Sequence, residues 1–302
     1  MNLNVQKCIP HLALVIGMTA WASSFIGLKF ALTAYTPFEV IAGRMLISSL
    51  ICLPFLKPLI THMTRKNFPV LLGGVLCEPC LYFLFETSAL RYTSSAQAGM
   101  VLAIMPLCVG FCAWIFLKEK QSVHAWAGFI LAFLGVFWLS FSGETSQAVP
   151  NPFLGNMLEL GAVFCGVGYT LACRNLSAAM SPWVYTAAMS FGGVLFYLPL
   201  TFLPLEFSPV ILDVSIPDWL PLFSIFYLGV VVSLLGYGFY NYGVSKLSAT
   251  EAAAYINLIP VITLVIGVLF LEERLTATQY FASLAILGGM LLSQYKAKKE
   301  LP

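Results

Sequence analysis

Long apolar runs, rather than short alternations, organise this chain. Ten of them occur, at Ile9–Leu32, Pro37–Leu56, Phe68–Leu90, Ala96–Leu117, Val123–Phe141, Pro152–Cys173, Pro182–Leu203, Trp219–Val244, Ala252–Leu271 and Ala277–Gln294. Each is close to the roughly 20 residues that a helix needs to cross a hydrocarbon core of about 30 Å. The gaps hold turn-forming or charged residues, such as Thr36-Pro37, Lys57-Pro58, Arg65-Lys66 and Pro150-Asn151-Pro152. In lipid the backbone must satisfy its hydrogen bonds within each span, so the runs predict helices. The first run is too long for a cleaved signal, and further spans follow it. The expectation is an all-α polytopic membrane protein with ten transmembrane helices.

The pattern is also written twice. Residues 94–139 align with 248–293 at an offset of 154, with seven identities in 46 positions. Pro106 falls on Pro260, Phe116-Leu117 on Phe270-Leu271, Glu119 on Glu273 and Gly135 on Gly289. Shared composition supplies some identities by chance; the order of landmarks is more telling. Both stretches run from small residues through a mid-span proline to a charged triplet, Lys118-Glu119-Lys120 or Glu272-Glu273-Arg274, and then a second span. At an offset of 145, Lys29 falls on Arg174, Pro37 on Pro182 and Leu53-Pro54 on Leu198-Pro199, with residues 208–218 as the inserted stretch. Two five-span halves, 1–146 and 147–302, follow. Five is odd, so the second half enters the membrane from the opposite side and the repeats are inverted.

Charge sets the orientation. With the N-terminus in the cytoplasm, the inner side collects Lys7, Lys57, Arg65, Lys66, Lys118, Lys120, Arg174, Lys246, Lys296, Lys298 and Lys299. Only Lys29, Arg44, Arg91 and Arg274 remain on or near the outer side, so both termini are expected to be cytoplasmic. Charged residues are 9% of the 302, against roughly 25% in soluble chains, and the mean hydropathy is +0.89. A net charge of +2 gives no footprint for nucleic acid. Three His and eight Cys show no metal-ligand spacing, and nothing points to a cofactor. No Gly-x-Ser-x-Gly elbow, His-Glu-x-x-His motif or mid-span histidine marks an enzyme.

Candidate chemistry lies in the few polar residues inside spans. An ionisable residue at a helix centre costs about 2.5–3.5 kcal/mol on insertion scales, so it normally faces a cavity or a partner. Glu78, Tyr82 and Glu86 recur every four residues along one face of the third span, with Pro79 beside Glu78. Glu78, near mid-membrane, is the candidate for substrate binding and for proton coupling. Arg44 in the second span and Glu159 in the sixth are expected to form a structural ion pair or gate, Glu86 being the alternative partner for Arg44. Trp21, Tyr169, Tyr237, Tyr240, Asn241 and Asn257 complete the candidate lining, although interhelical hydrogen bonds explain such residues equally well. Pro106 and Pro260 each remove a backbone hydrogen bond and allow a bend.

Two other classes have some support. Cys77-Glu78-Pro79-Cys80 could serve a membrane thiol–disulfide relay, for which Cys108 and Cys112 are the one available second pair; packing is the commoner use of such cysteines. A channel lacks a repeated ring of like charges or a carbonyl filter.

Trp21-Ala22-Ser23-Ser24-Phe25 in the first span, the two inverted five-span halves, and a mid-span proline ahead of Phe116-Leu117-Lys118-Glu119-Lys120 and Phe270-Leu271-Glu272-Glu273-Arg274 resemble the drug/metabolite transporter superfamily, EamA type. The resemblance covers roughly residues 12–294. It implies a central cavity lined by spans one, three, four, six, eight and nine, and a cargo such as an amino acid or another small metabolite. One departure is Phe164-Cys165-Gly166 in span six, where span one has its Trp-led, Ser-rich run. The expected function is secondary active transport, with export the expected direction, of a small polar or zwitterionic metabolite by alternating access across a bacterial inner membrane. Glu78 and Glu86 would meet an ammonium group; the lipid bilayer, the small solute and a proton are the expected partners, and a monomer suffices. The alternative is an uptake or exchange carrier for an adenosine-containing or quaternary-amine nutrient such as S-adenosylmethionine or choline.

Overall fold

A computed structural model of the protein describes residues 3–117, 123–141, 149–203, 209–212, 215–247, 252–253, 255–271 and 276–294. The charged triplets at 118–120 and 272–274 lie outside them, as does the side chain of Pro260. The described elements are helical, with no strand among them. In order they are α1 (Leu3–Ala31), α2 (Pro37–Cys52), α3 (Leu56–His62), α4 (Phe68–Val75), α5 (Tyr82–Ala89), α6 (Ser95–Leu102) and α7 (Met105–Leu117). Then follow α8 (Val123–Phe141), α9 (Pro152–Leu176), α10 (Pro182–Leu200), α11 (Leu220–Tyr227), α12 (Tyr237–Lys246), α13 (Leu258–Leu271) and α14 (Ala277–Gln294).

Among the described residues seven helical segments are long and apolar enough to cross a membrane: Cys8–Ala31, Pro37–His62, Phe68–Ala89, Ser95–Cys112, Pro152–Leu176, Pro182–Leu200 and Leu220–Lys246. The core is apolar, but the outward face is apolar as well, and a few charged side chains are held inside, as expected in lipid. Leu195, Leu222, Leu269 and Leu284 are exposed, whereas Arg44, Glu78, Glu86, Asn156 and Glu159 are buried. This is a multi-pass membrane protein.

Helix starts follow local chemistry. Thr36 accepts from the Glu39 backbone N–H while the Glu39 carboxylate accepts from the Thr36 backbone, a closed capping box. Ser94, Asn151 and Ser181 cap α6, α9 and α10 through their side-chain oxygens, and proline occupies the first turn of α2, α9 and α10.

Several spans are broken mid-way. Between α4 and α5 a wide-turn segment, Leu76–Leu81, contains Glu78 with an extended backbone (φ −147, ψ 122). The regular four-residue stripe expected through Glu78, Tyr82 and Glu86 is thus interrupted at its first member, beside Pro79. Tyr197 on α10 donates its hydroxyl to the freed Cys80 carbonyl. Leu228–Gly236, between α11 and α12, is a second wide-turn segment. Under the 154-residue offset, 76–81 falls on 230–235, inside it. Likewise α6 ends at Leu102 just ahead of Pro106, and a 3-10 turn at Tyr255–Asn257 precedes α13. Where α6 meets α7, Ala103 and Ile104 bond three residues back rather than four.

Small residues let backbones close in, the main packing device where lipid removes the hydrophobic drive between helices. α8 and α14 pack together, and a Cβ on Gly289 would lie 2.6 Å from the Gly128 carbonyl oxygen and 2.7 Å from the Ala132 nitrogen. A Cβ on Gly135 would meet Ile286 N at 2.9 Å. These glycines are the pair matched at the same offset.

Candidate functional site

The broken spans surround a buried cavity. It is lined by Trp21, Ser24 and Phe25 of α1, Arg44 of α2, Glu78, then Tyr82, Phe83 and Glu86 of α5, with Leu102, Met105, Val232, Tyr237 and Ile256. Space for the centres of water-sized molecules is about 20 Å³, room for one or two waters. A metabolite therefore needs the helices to part.

Two carboxylates and one guanidinium line this space. Tyr237 donates its hydroxyl to Glu78 Oε1, which joins span eight to span three. Tyr82 donates to Glu86 Oε1 at 3.2 Å, whereas Glu86 Oε2 has no protein partner. Arg44 donates from Nε to Ser233 Oγ at 2.9 Å, and its guanidinium lies 4.2 Å from the Phe83 ring centroid. The Arg44 Nη1 and the indole Nε1 of Trp21 are buried without hydrogen-bond partners. A buried polar group left unpaired costs about 1–3 kcal/mol. Three lining residues of one small cavity, Trp21, Arg44 and Glu86, thus hold buried polar atoms with no protein partner, convergent polar groups of the kind ligand sites carry.

Aromatic rings form its remaining wall. Trp21 stands 4.7 Å from the Tyr237 ring and 4.8 Å from the Tyr240 ring. Phe83 meets Tyr237 edge-on at 6.1 Å.

The candidate residues divide into two layers. Trp21, Glu78, Tyr82, Glu86 and Tyr237 line the cavity together. Tyr169, Tyr240 and Asn241 lie behind it. Tyr169 donates to Asn241 Oδ1, Asn241 Nδ2 donates to Thr186 Oγ1 at 2.9 Å, and Tyr240 shares a hydrogen bond with Thr170 at 3.2 Å. Asn241 also lines a second, smaller recess with Cys173, Met180, Tyr185 and Ser245. The Tyr169 ring lies 5.9 Å from that of Tyr237, which does line the cavity. Span six therefore contributes no lining residue here, and span two contributes Arg44. Asn257 is half-buried with Oδ1 unpartnered, next to the lining residue Ile256.

Arg44 and Glu159 are not joined. Both Glu159 oxygens are buried without a hydrogen-bond partner, and its charged neighbour is Glu86. The acids within electrostatic reach of Arg44 are Glu86 and Glu78. Sequence reasoning missed the lining role of Arg44 and of Phe83, Met105, Val232 and Ile256, as well as Ser233, which holds Arg44. All eight cysteines are unpaired, and no cluster of metal-ligating side chains occurs among the described residues.

Comparison with known proteins agrees with this architecture. The model of the EamA-like transporter family matches twice, at residues 9–141 and 153–295. Among curated relatives, the uncharacterized transporter YetK of Bacillus subtilis (strain 168) is 25% identical over 96% of this chain and 88% of its own. YvbV of the same organism, also an uncharacterized transporter, is 28% identical over 98% and 95%. An uncharacterized transporter of Archaeoglobus fulgidus is 23% identical over 95% and 97%. A crystal structure with 18% identity superposes with a TM-score of 0.60, covering 93% of this chain and 97% of that one, which shows a shared fold. The chain belongs to the EamA-like transporter family, within the drug/metabolite transporter superfamily, and is a membrane transporter.

Proposed function

We propose that the protein is a secondary carrier of a bacterial inner membrane, moving a small polar or zwitterionic metabolite by alternating access. The proposal includes ten spans arranged as two inverted five-helix halves, 1–146 and 147–302, with both termini in the cytoplasm. Three observations support that architecture: the family match falls once in each half, the wide-turn segments 76–81 and 228–236 correspond under the repeat offset, and the matched glycines 135 and 289 share the α8–α14 contact. Interrupted spans at corresponding positions of two halves are where such carriers build their sites.

The observation that carries the functional reading is the cavity itself: Glu78 and Glu86 beside Trp21, Tyr82 and Tyr237, buried between helices of both halves. Carboxylates with aromatic faces suit an ammonium group. Glu78, held by Tyr237 from the other half, is placed to couple protonation to movement of the halves. The same rings favour a second reading, a carrier of quaternary amines or adenosine-containing compounds such as choline or S-adenosylmethionine, in uptake or exchange. Counterflow in proteoliposomes with labelled neutral and cationic amino acids, choline, S-adenosylmethionine and a nucleotide sugar tests both. Saturable counterflow of amino acids supports the first reading, and counterflow restricted to choline or S-adenosylmethionine replaces it with the second.

A further inference from the structure

We infer that Arg44 is a specificity-determining residue that receives a carboxylate of the cargo, so that the solute carries both a carboxylate and an ammonium group. The inference rests on the cavity being the transport site. Arg44 is 1% exposed, and its setting fixes how the guanidinium is used. Nε is committed to Ser233, one face is covered by Phe83, and Nη1 is left with no protein partner at the cavity wall. Trp21 Nε1, on another wall of the same cavity, is a second buried donor with no partner. Glu86 Oε2 is a buried acceptor on this cavity with no partner.

This set of open atoms selects among ligands. An amine alone meets Glu86 and leaves both donors bare. A carboxylate alone meets the donors and leaves Glu86 bare. A zwitterion satisfies both sides and adds no net charge to a site from which water is scarce. A guanidinium is also the donor best shaped for a carboxylate, with parallel N–H groups and weak hydration. Because Glu86 is the acid nearest in electrostatic effect to Arg44, binding would exchange partners: the cargo carboxylate turns to Arg44 and the cargo ammonium to Glu86.

The test is counterflow in proteoliposomes with two matched pairs, L-leucine with 3-methylbutylamine and L-phenylalanine with phenethylamine. Wild type is compared with Arg44→Gln, Arg44→Lys and Trp21→Phe, the last keeping an aromatic ring while removing the donor. A lost hydrogen bond to a charged group corresponds to roughly a 10- to 100-fold change, so Arg44→Gln is expected to lower the amino acid-to-amine ratio by that factor. Arg44→Lys should recover part of it, and Trp21→Phe should lower the ratio in the same direction. If Arg44→Gln fails to fold, the Trp21→Phe ratio decides. An unchanged ratio in a folded variant, or an equal loss of both members of each pair, overturns the carboxylate subsite and leaves the carrier reading standing. Wild-type counterflow of the amines but not the amino acids does the same. No saturable counterflow of any of the four overturns the subsite, and the carrier reading falls with it only if choline, S-adenosylmethionine and the nucleotide sugar give none either.

Discussion

The hydroxyl of Tyr237 donates to the carboxylate of Glu78, linking the break between α4 and α5 to the start of α12. Both residues sit at interruptions of their helices: Glu78 inside Leu76–Leu81, and Tyr237 at the first position after Leu228–Gly236. Removing the hydroxyl leaves the acid without its partner. Tyr237→Phe is expected to cost about 0.5–1.5 kcal/mol in thermal unfolding in detergent, the range for hydrogen bonds between membrane helices. An unchanged unfolding midpoint would show that this bond does not bind the two spans.

A second prediction concerns the α8–α14 contact. A methyl group on Gly289 meets backbone atoms of Gly128 and Ala132, which cannot move aside as a flexible side chain can. Gly289→Ala should destabilise the protein by about 1–3 kcal/mol, and Gly135→Ala, facing Ile286 and Ala282, should do likewise. Gly288→Ala, where an added Cβ meets nothing within 4 Å, is the matched control and should be near neutral.

Much of this was legible in the chain. Trp21, Glu78, Tyr82, Glu86 and Tyr237 stand out because a polar or charged side chain inside an apolar run needs a reason to be there. The reason does not extend to their neighbours. Phe83, Met105, Val232 and Ile256 face the cavity, but in an apolar run they read the same as residues facing lipid. Arg44 was conspicuous, yet its partner was not: Ser233 is one hydroxyl in an unremarkable stretch, and only the packing of α2 against the eighth span brings it within 2.9 Å. Tyr169, Tyr240 and Asn241 were singled out for polarity alone, which cannot distinguish a residue lining a cavity from one bonded behind it. The break at Glu78 had Pro79 as its signal. The one at 228–236 has no proline and is marked only by its place in the repeat.

The polar layer behind the cavity gives a third prediction. Asn241 receives Tyr169 and Cys173 on its oxygen and donates to Thr186. Asn241→Ala removes the common partner and enlarges the recess that Cys173 lines. Modification of Cys173 by a small methanethiosulfonate should quicken several-fold in that variant. An unchanged rate would mean that Asn241 does not close this recess.

The proposed orientation has a native reporter. Cys8, near the start of α1, is exposed. In a variant keeping Cys8 as the sole cysteine, a membrane-impermeant maleimide should label inside-out vesicles and spare intact cells. Labelling of intact cells would place the N-terminus outside and reverse the assignment of both halves.

The central claim is tested most directly at Glu78. Saturable counterflow of the cargo identified for the wild type is measured beside Glu78→Gln, reconstituted at the same protein density and shown to have the same thermal midpoint. Gln keeps an oxygen that can accept from Tyr237 but carries neither the charge nor the exchangeable proton. The account predicts loss of counterflow in the folded variant, by at least about tenfold for a charge-assisted contact. Counterflow at the wild-type rate would contradict it and remove Glu78, and the cavity built around it, from the mechanism.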